Sequence, residues 1–268
     1  MKKRFLVWML ILVCGFTGNA LADDIVININ QAPEVCAILK AIPTRAEACA
    51  VIPDEGIRIM TSSYLDLLSA TWYITNDYLD VETQRCYRSV YCVTSIDGSL
   101  YVERYMRWEL GTVEQYYANT TAEYVLDKYQ NQWEIEFGPY YLWSLDKKME
   151  FYEMYQCTPF GQSEQWGEPD KENVDEETAI REAQRVVETK GLPVEALGMH
   201  ADARYIVKPD RGYWEIRYWA KIQIGNETFW ELVCIVAQAT DGRFYTNLGT
   251  GEALHDLVVY AEYVNGTN

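Results

Sequence analysis

Residues 211–242, RGYWEIRYWAKIQIGNETFWELVCIVAQATDG, hold two extended runs that end at an Asp-Gly turn, and this stretch restricts the fold more than any other. Successive side chains of a strand point to opposite faces. In 213–220 this sends Trp214, Ile216, Tyr218 and Ala220 one way, and Tyr213, Glu215, Arg217 and Trp219 the other. In 229–238, Trp230, Leu232, Cys234 and Val236 share a face. Fully burying such a side chain is worth about 1.5–3 kcal/mol, so Trp214 and Trp230 are expected in a core. Tyr213 and Trp219, flanked by charges, remain as candidates for an exposed aromatic binding surface.

The apolar rows need a cover, and NVDEETAIREAQRVVETKGL (173–192) provides a helix for it. Asp175 is a good N-cap, Glu176 and Glu177 suit the positive end of the helix dipole, and Val174 can staple onto Ala179. Ala179, Ile180, Ala183, Val186 and Val187 fall on one face, and Gly191 stops the helix. Just upstream, GQSEQWGEPDKENVD (161–175) breaks all periodicity with Gly, Pro and acids, which predicts a solvated linker between domains. Trp166 lies within it among neighbours that do not predict burial, and so joins the candidate binding surface.

Earlier segments are expected to be mixed. Residues 33–52 read as one or two short helices broken at Pro43. RCYRSVYCVTSIDGSLYVERYMRWEL (85–110) reads as a hairpin about a type I′ turn at Asp97-Gly98. That pivot sets Tyr87, Tyr91 and Val93 opposite Trp108, Arg104 and Val102, with a wetter face of Arg88, Cys92, Glu103, Tyr105 and Arg107. NTTAEYVLDKYQ (119–130) suggests a short helix, NQWEIEFG (131–138) a strand, and SLDKKMEFYEMYQ (144–156) a helix capped by Ser144. The expected class is α+β, with antiparallel sheets and packed helices.

The first 22 residues read as a signal peptide: a basic start at Lys2, Lys3 and Arg4, an apolar run to Phe16, and Ala20-Leu21-Ala22 as a cleavage site. The apolar run is short of the about 20 residues a membrane span needs. The expected product starts near Asp23 and is secreted or extracellular, associated with the cell envelope, with no span after the signal is removed. Losing those three basic residues takes the formal net charge from −17 to −20. Such acidity disfavours nucleic acid and anionic lipid as partners.

Six cysteines remain, and export permits disulfides. Cys86 and Cys92 sit six apart in one expected strand, hence about 20 Å apart, too far for a bridge. Cys36 with Cys49 is the candidate local pair. No C-x-x-C is present and the histidines are His200 and His255 alone, so neither a metal site nor a cofactor is expected.

The helix DEETAIREA (175–183), the Gly191-Leu192 exit, the WEI strand (214–216), the second long strand and the TDG turn (240–242) together resemble the PepSY domain. FGPYYLWSLDKKMEFYEMYQ (137–156) is similar to the segment that precedes PepSY units in secreted proteins of Gram-positive, Clostridia-like bacteria. The resemblance covers roughly residues 137–250. It implies, for 176–268, a helix packed on an antiparallel sheet, without catalytic residues. It also implies a role in binding or restraining extracellular peptidases. QWEIEF (132–137) echoes YWEIRY (213–218), which makes 23–160, otherwise an α+β domain of unnamed family, a candidate degenerate copy.

The chain holds no H-E-x-x-H, no G-x-S-x-G and no phosphate-cradling glycine loop, and the surroundings of Cys157 do not match a cysteine peptidase. The expectation is therefore a non-catalytic protein-binding protein at the cell envelope, with an extracellular peptidase as the partner that the resemblance implies. The alternative is a module that binds cell-wall polysaccharide through Trp166, Tyr213 and Trp219. A carboxylate-dependent hydrolase, which needs only two acids at the right separation, is the third class.

Overall fold

The computed structural model describes residues 25–31, 36–118, 125–159, 162–248 and 252–266; the expected signal peptide lies outside them. In chain order the elements are β1 (Val26–Asn28), α1 (Ala37–Ala41), α2 (Arg45–Ala50), β2 (Ile57–Asp66), β3 (Thr71–Asp80), β4 (Arg85–Ile96), β5 (Ser99–Thr112), α3 (Val113–Ala118), α4 (Val125–Phe137), α5 (Leu145–Tyr155), α6 (Glu176–Thr189), β6 (His200–Ile206), β7 (Tyr213–Ile224), β8 (Glu227–Gln238), β9 (Phe244–Thr246) and α7 (Glu252–Val264). The class is α+β, as expected. One sheet is the antiparallel meander β2-β3-β4-β5; the other is built on β7. One edge of β7 is shared, with β6 antiparallel along Tyr213–Trp219 and β1 parallel along Lys221–Gln223, while the opposite edge carries β8 and then β9.

The β7 sheet is covered on both faces. On one side Trp214, Ile216, Tyr218, Ala220 and Ile222 join Ala179, Ala183 and Val187 of α6, and Leu254 and Leu257 of α7. That core continues into Leu65, Trp72, Ile74, Tyr91 and Val93 of the meander, so it takes residues from both sides of 161–175. On the other side a second cluster gathers Trp133 of α4, Leu145, Phe151 and Tyr152 of α5, and Trp219 and Leu232.

Local signals explain the best-formed pieces. Asp175 Oδ1 accepts from Thr178 N at 2.8 Å, Lys190 caps the far end of α6, and Gly191 follows at φ +96°. Ser144 Oγ accepts from Lys147 N at 3.2 Å to start α5. Ser144→Ala should lower stability by about 1 kcal/mol in urea unfolding, with activity-independent readout by circular dichroism. Asp97 (φ +50°) and Gly98 (φ +78°) both adopt positive φ, as a type I′ turn requires.

Three expectations are corrected. Val93 pairs with Val102 and Tyr91 with Arg104 as expected, but a bulge between Val90 and Tyr91 moves Glu109, not Trp108, opposite Tyr87. Trp108 then pairs with Arg88, whose guanidinium lies 5.7 Å from its ring centroid. NQWEIEFG is not a strand: residues up to Phe137 are helical, because Tyr129 and Trp133, at i and i+4, pack on Phe151 and Tyr155 of α5, with Phe137 at i+8 against Trp133. The echo between QWEIEF and YWEIRY therefore joins a helix to a strand, and it is no structural repeat.

The third correction concerns β8. A bulge at Val233 leaves Trp230 and Leu232 toward the second cluster while Cys234 and Val236 face the main core, so the four do not share a face. The segment expected as a solvated linker is mostly exposed; within it Gly167 N donates to Tyr205 O at 3.1 Å and Val207 N to Gln165 O at 2.7 Å, which straps 165–167 along β6.

The six cysteines among the described residues are free, Cys36 and Cys49 included. Cys36 precedes α1, with its thiol donating to Asp256 O at 3.4 Å, whereas Cys49 packs on the main core from α2, so their side chains are committed elsewhere. Among the described residues no helix is long and apolar enough to cross a membrane.

Candidate functional site

The three aromatic candidates from the sequence do not form an exposed platform. Trp219 is buried, at 2% exposure, with its ring stacked on Tyr152 at 6.1 Å. The helical layer of α4 and α5 covers the face on which it stands, a long-range contact that charged neighbours in sequence cannot reveal. Trp166 is half-buried, its ring beneath the Arg204 guanidinium at 4.6 Å and its Nε1 donating to Glu164 Oε2 at 2.9 Å. Tyr213, also half-buried, begins β7 opposite Ile206, the residue that bridges to Trp166.

Beside Trp166 lies a buried charge cluster. Arg217 is fully buried; its Nε donates to Glu215 at 2.7 Å, its Nη2 to Glu164 at 2.8 Å, and its Nη1 stands 3.9 Å from Asp202. Arg204 pairs with Asp202 at 2.9 Å. Burial raises the Asp202 and Glu215 carboxyls above their ordinary range, against the pull of the arginines. This cluster pins the 162–175 strap to the sheet, and its geometry is structural.

A cavity of about 440 Å³ opens between the meander and the second cluster, within the size of a small-molecule site. Its meander wall carries Tyr64 and Tyr73, 6.1 Å apart and tilted, Tyr105 edge-on to Tyr73 at 6.3 Å, and Trp108. Ser62 and Thr75 add hydroxyls, and Arg88 is locked by two 2.7 Å bonds to Asp77. The facing wall carries Gln130, Tyr140, Lys148, Trp219 and Glu231.

Lys148 and Glu231 are the chemically distinctive pair. Lys148 Nζ donates to Trp230 O at 2.7 Å and lies 4.8 Å from the Tyr140 ring. Glu231 accepts from Leu65 N at 2.9 Å, where β2 meets β8. Burial lowers the Lys148 ammonium to about 8, and burial raises the Glu231 carboxyl to about 7; each charge partly offsets the other's shift. The sequence does carry a signal for both. Lys148 falls between Leu145 and Tyr152 on the apolar stripe of α5, and Glu231 interrupts an apolar run in β8.

Sulfur chemistry is disfavoured by the same burial. Desolvation raises the thiols of Cys36, Cys49, Cys86, Cys92, Cys157 and Cys234, with Cys157 and Cys234 pushed up to about 12, so none is a ready thiolate at neutral pH.

Next to the cavity, β5 forms an edge. It is 14 residues long, and among the described residues it pairs with β4 alone. Tyr101, Tyr105 and Met106 are about half exposed (54%, 61% and 49%), and Val102 is exposed at 39%.

No family model, curated protein or solved structure matches the chain. The site must be read from its own geometry.

Proposed function

We propose that this is a secreted, non-catalytic protein-binding protein that takes an extended segment of an extracellular partner along β5. The carrying observation is that long edge: a row of strand donors and acceptors flanked by the exposed Tyr101, Val102, Tyr105 and Met106. Exposed edges are normally shortened, bulged away or covered, because they template pairing with another chain. β5 is bulged at Tyr105 and at Leu110, yet it keeps its length and its exposed apolar side chains, which is an arrangement open to strand addition. The chain's net charge of −17 favours a basic partner segment and steers its approach. An extracellular peptidase is the partner class supported by the resemblance of 137–250 to PepSY-containing proteins.

The test uses residues 23–268 as bait in envelope extract of the source organism, beside a Tyr101→Lys/Val102→Lys bait. Both positions lie outside the cavity lining, and Val102 pairs with Val93 at the end of the hairpin. The expected result is one peptidase enriched on the native bait and reduced about tenfold or more on the variant, with unchanged circular dichroism. Equal recovery on both baits would overturn the β5 reading, and recovery of cell-wall polysaccharide without protein would overturn protein binding itself.

A further inference from the structure

We propose that the cavity between the meander and the α4–α5 layer, which adjoins the β5 edge at Tyr105 and Met106, is a second binding site, and that its ligand is a neutral saccharide of about two rings. Its walls combine flat aromatic surface with polar groups of both kinds. Tyr64, Tyr73, Tyr105 and Trp108 offer ring surface to the apolar faces of a pyranose. Ser62, Thr75 and Gln130 donate and accept hydrogen bonds, Lys148 donates, and Glu231 accepts, which suits a ring edged with hydroxyls.

Charge separates this ligand from the other small molecules that such a cavity could take. Arg88 is neutralised by its bidentate pair with Asp77, and Lys148 sits in the field of Glu231. An anion would meet Glu231 and a strongly acidic protein, while a cation would meet the Lys148 ammonium. A neutral polyol meets neither penalty.

An independent observation points to a missing acceptor. Trp219 lines the cavity, is 2% exposed, and its Nε1 has no hydrogen-bond partner. A buried donor left unpaired is costly, and native structures rarely leave one so. A ligand hydroxyl oxygen would supply that acceptor once the Trp219 side chain shifts to open its Nε1 to the cavity, with the sugar ring stacked on the tyrosines across the cleft.

The test is calorimetric titration of residues 23–268 with cellobiose, maltose and N,N′-diacetylchitobiose, beside the charged digalacturonate and de-N-acetylated chitobiose. At least one neutral disaccharide should saturate in the micromolar to millimolar range, more tightly than either charged one. Tyr73→Ala should weaken that binding about tenfold. Thr75→Val, which keeps the side-chain shape and removes a hydroxyl, should weaken it too and covers the case in which Tyr73→Ala does not fold. Tyr101→Lys/Val102→Lys should bind sugar like the native chain, so this site and the β5 edge fail or succeed separately. Failure of every neutral disaccharide to saturate, tighter binding of a charged one, or an affinity unchanged in both folded cavity variants would overturn the proposal.

Discussion

Arg217→Met should lower the stability of the protein by about 3–5 kcal/mol, because it removes the cation from a buried cluster of acids. Glu164, Glu215 and Asp202 converge on a guanidinium that has no exposure at all, and Arg204 alone would remain to serve them. For a chain of this size the loss corresponds to a fall of about 10 °C in the thermal midpoint. The loss should also depend on pH. Burial already raises the Asp202 and Glu215 carboxyls in the folded state, and without Arg217 they rise further. A folded-state value above the unfolded one means that the folded protein holds its proton longer, so stability falls as pH rises through that interval. Urea midpoints at pH 5 and pH 7.5 should therefore show the larger penalty at pH 7.5. A cost under about 1 kcal/mol, equal at both pH values, would mean that solvent reaches these carboxylates and that the cluster does not pin the strap.

Lys148→Met should have a comparable cost, and a steeper dependence on pH. In the native chain Glu231 titrates near 7, above its unfolded range, and the Lys148 charge is what restrains it from rising further. With methionine at 148 the carboxyl stays protonated to higher pH in the folded state. The variant's stability should then decline continuously from about the unfolded carboxylate value near 4.5 to beyond 7. At pH 7.5 to 8, where Lys148 still carries its charge in the native chain and the variant's Glu231 is pressed to ionise without that partner, the expected penalty is about 3–5 kcal/mol. At pH 5 little more than the lost bond to Trp230 O remains. The double variant Lys148→Met/Glu231→Leu removes both charges and should restore most of the stability at pH 8. If the single variant is equally costly at pH 5 and pH 8, the loss comes from packing and Glu231 does not feel Lys148.

Legibility in the sequence followed the range of each signal. The cap at Asp175, the 179–187 face and Gly191 are local, as is the Asp97-Gly98 turn, and each stands in the structure where the residues indicate. QWEIEF is ambiguous by itself. Trp133, Ile135 and Phe137 alternate like a strand, while Tyr129, Trp133 and Phe137 are spaced like a helix. Packing on α5 decides for the helix and leaves Ile135 exposed at 88%. Register past the hairpin turn was lost at one bulge, because an extra residue between paired positions carries no mark of its own.

The candidate site was the least legible. Trp219 has charged neighbours in sequence but lies against Tyr152, 67 residues earlier in the chain, and only that contact reveals its burial. The cavity draws on the meander, α4, α5 and β8, so no single stretch of sequence contains it. Lys148 and Glu231, each out of place on an apolar surface, are its two visible traces.

The pairing of β1 and α1 with elements far along the chain has a temporal consequence. β1 pairs in parallel with the far half of β7, through Asn28 and Gln223, and Asn28 N also donates to the Tyr260 hydroxyl, 232 positions away. Asp256 in α7 accepts from Ile38 N at the start of α1. β1 and α1 thus find these partners only once residues 195 or more positions later have been made. Contacts of such separation slow folding, since the intervening loop must close before they repay its entropy. Nascent chains should accordingly lack the complete β7 sheet until β7, β8 and α7 have been made, and truncation before residue 252 should leave β1 and α1 without their α7 contacts, whatever the meander has achieved on its own.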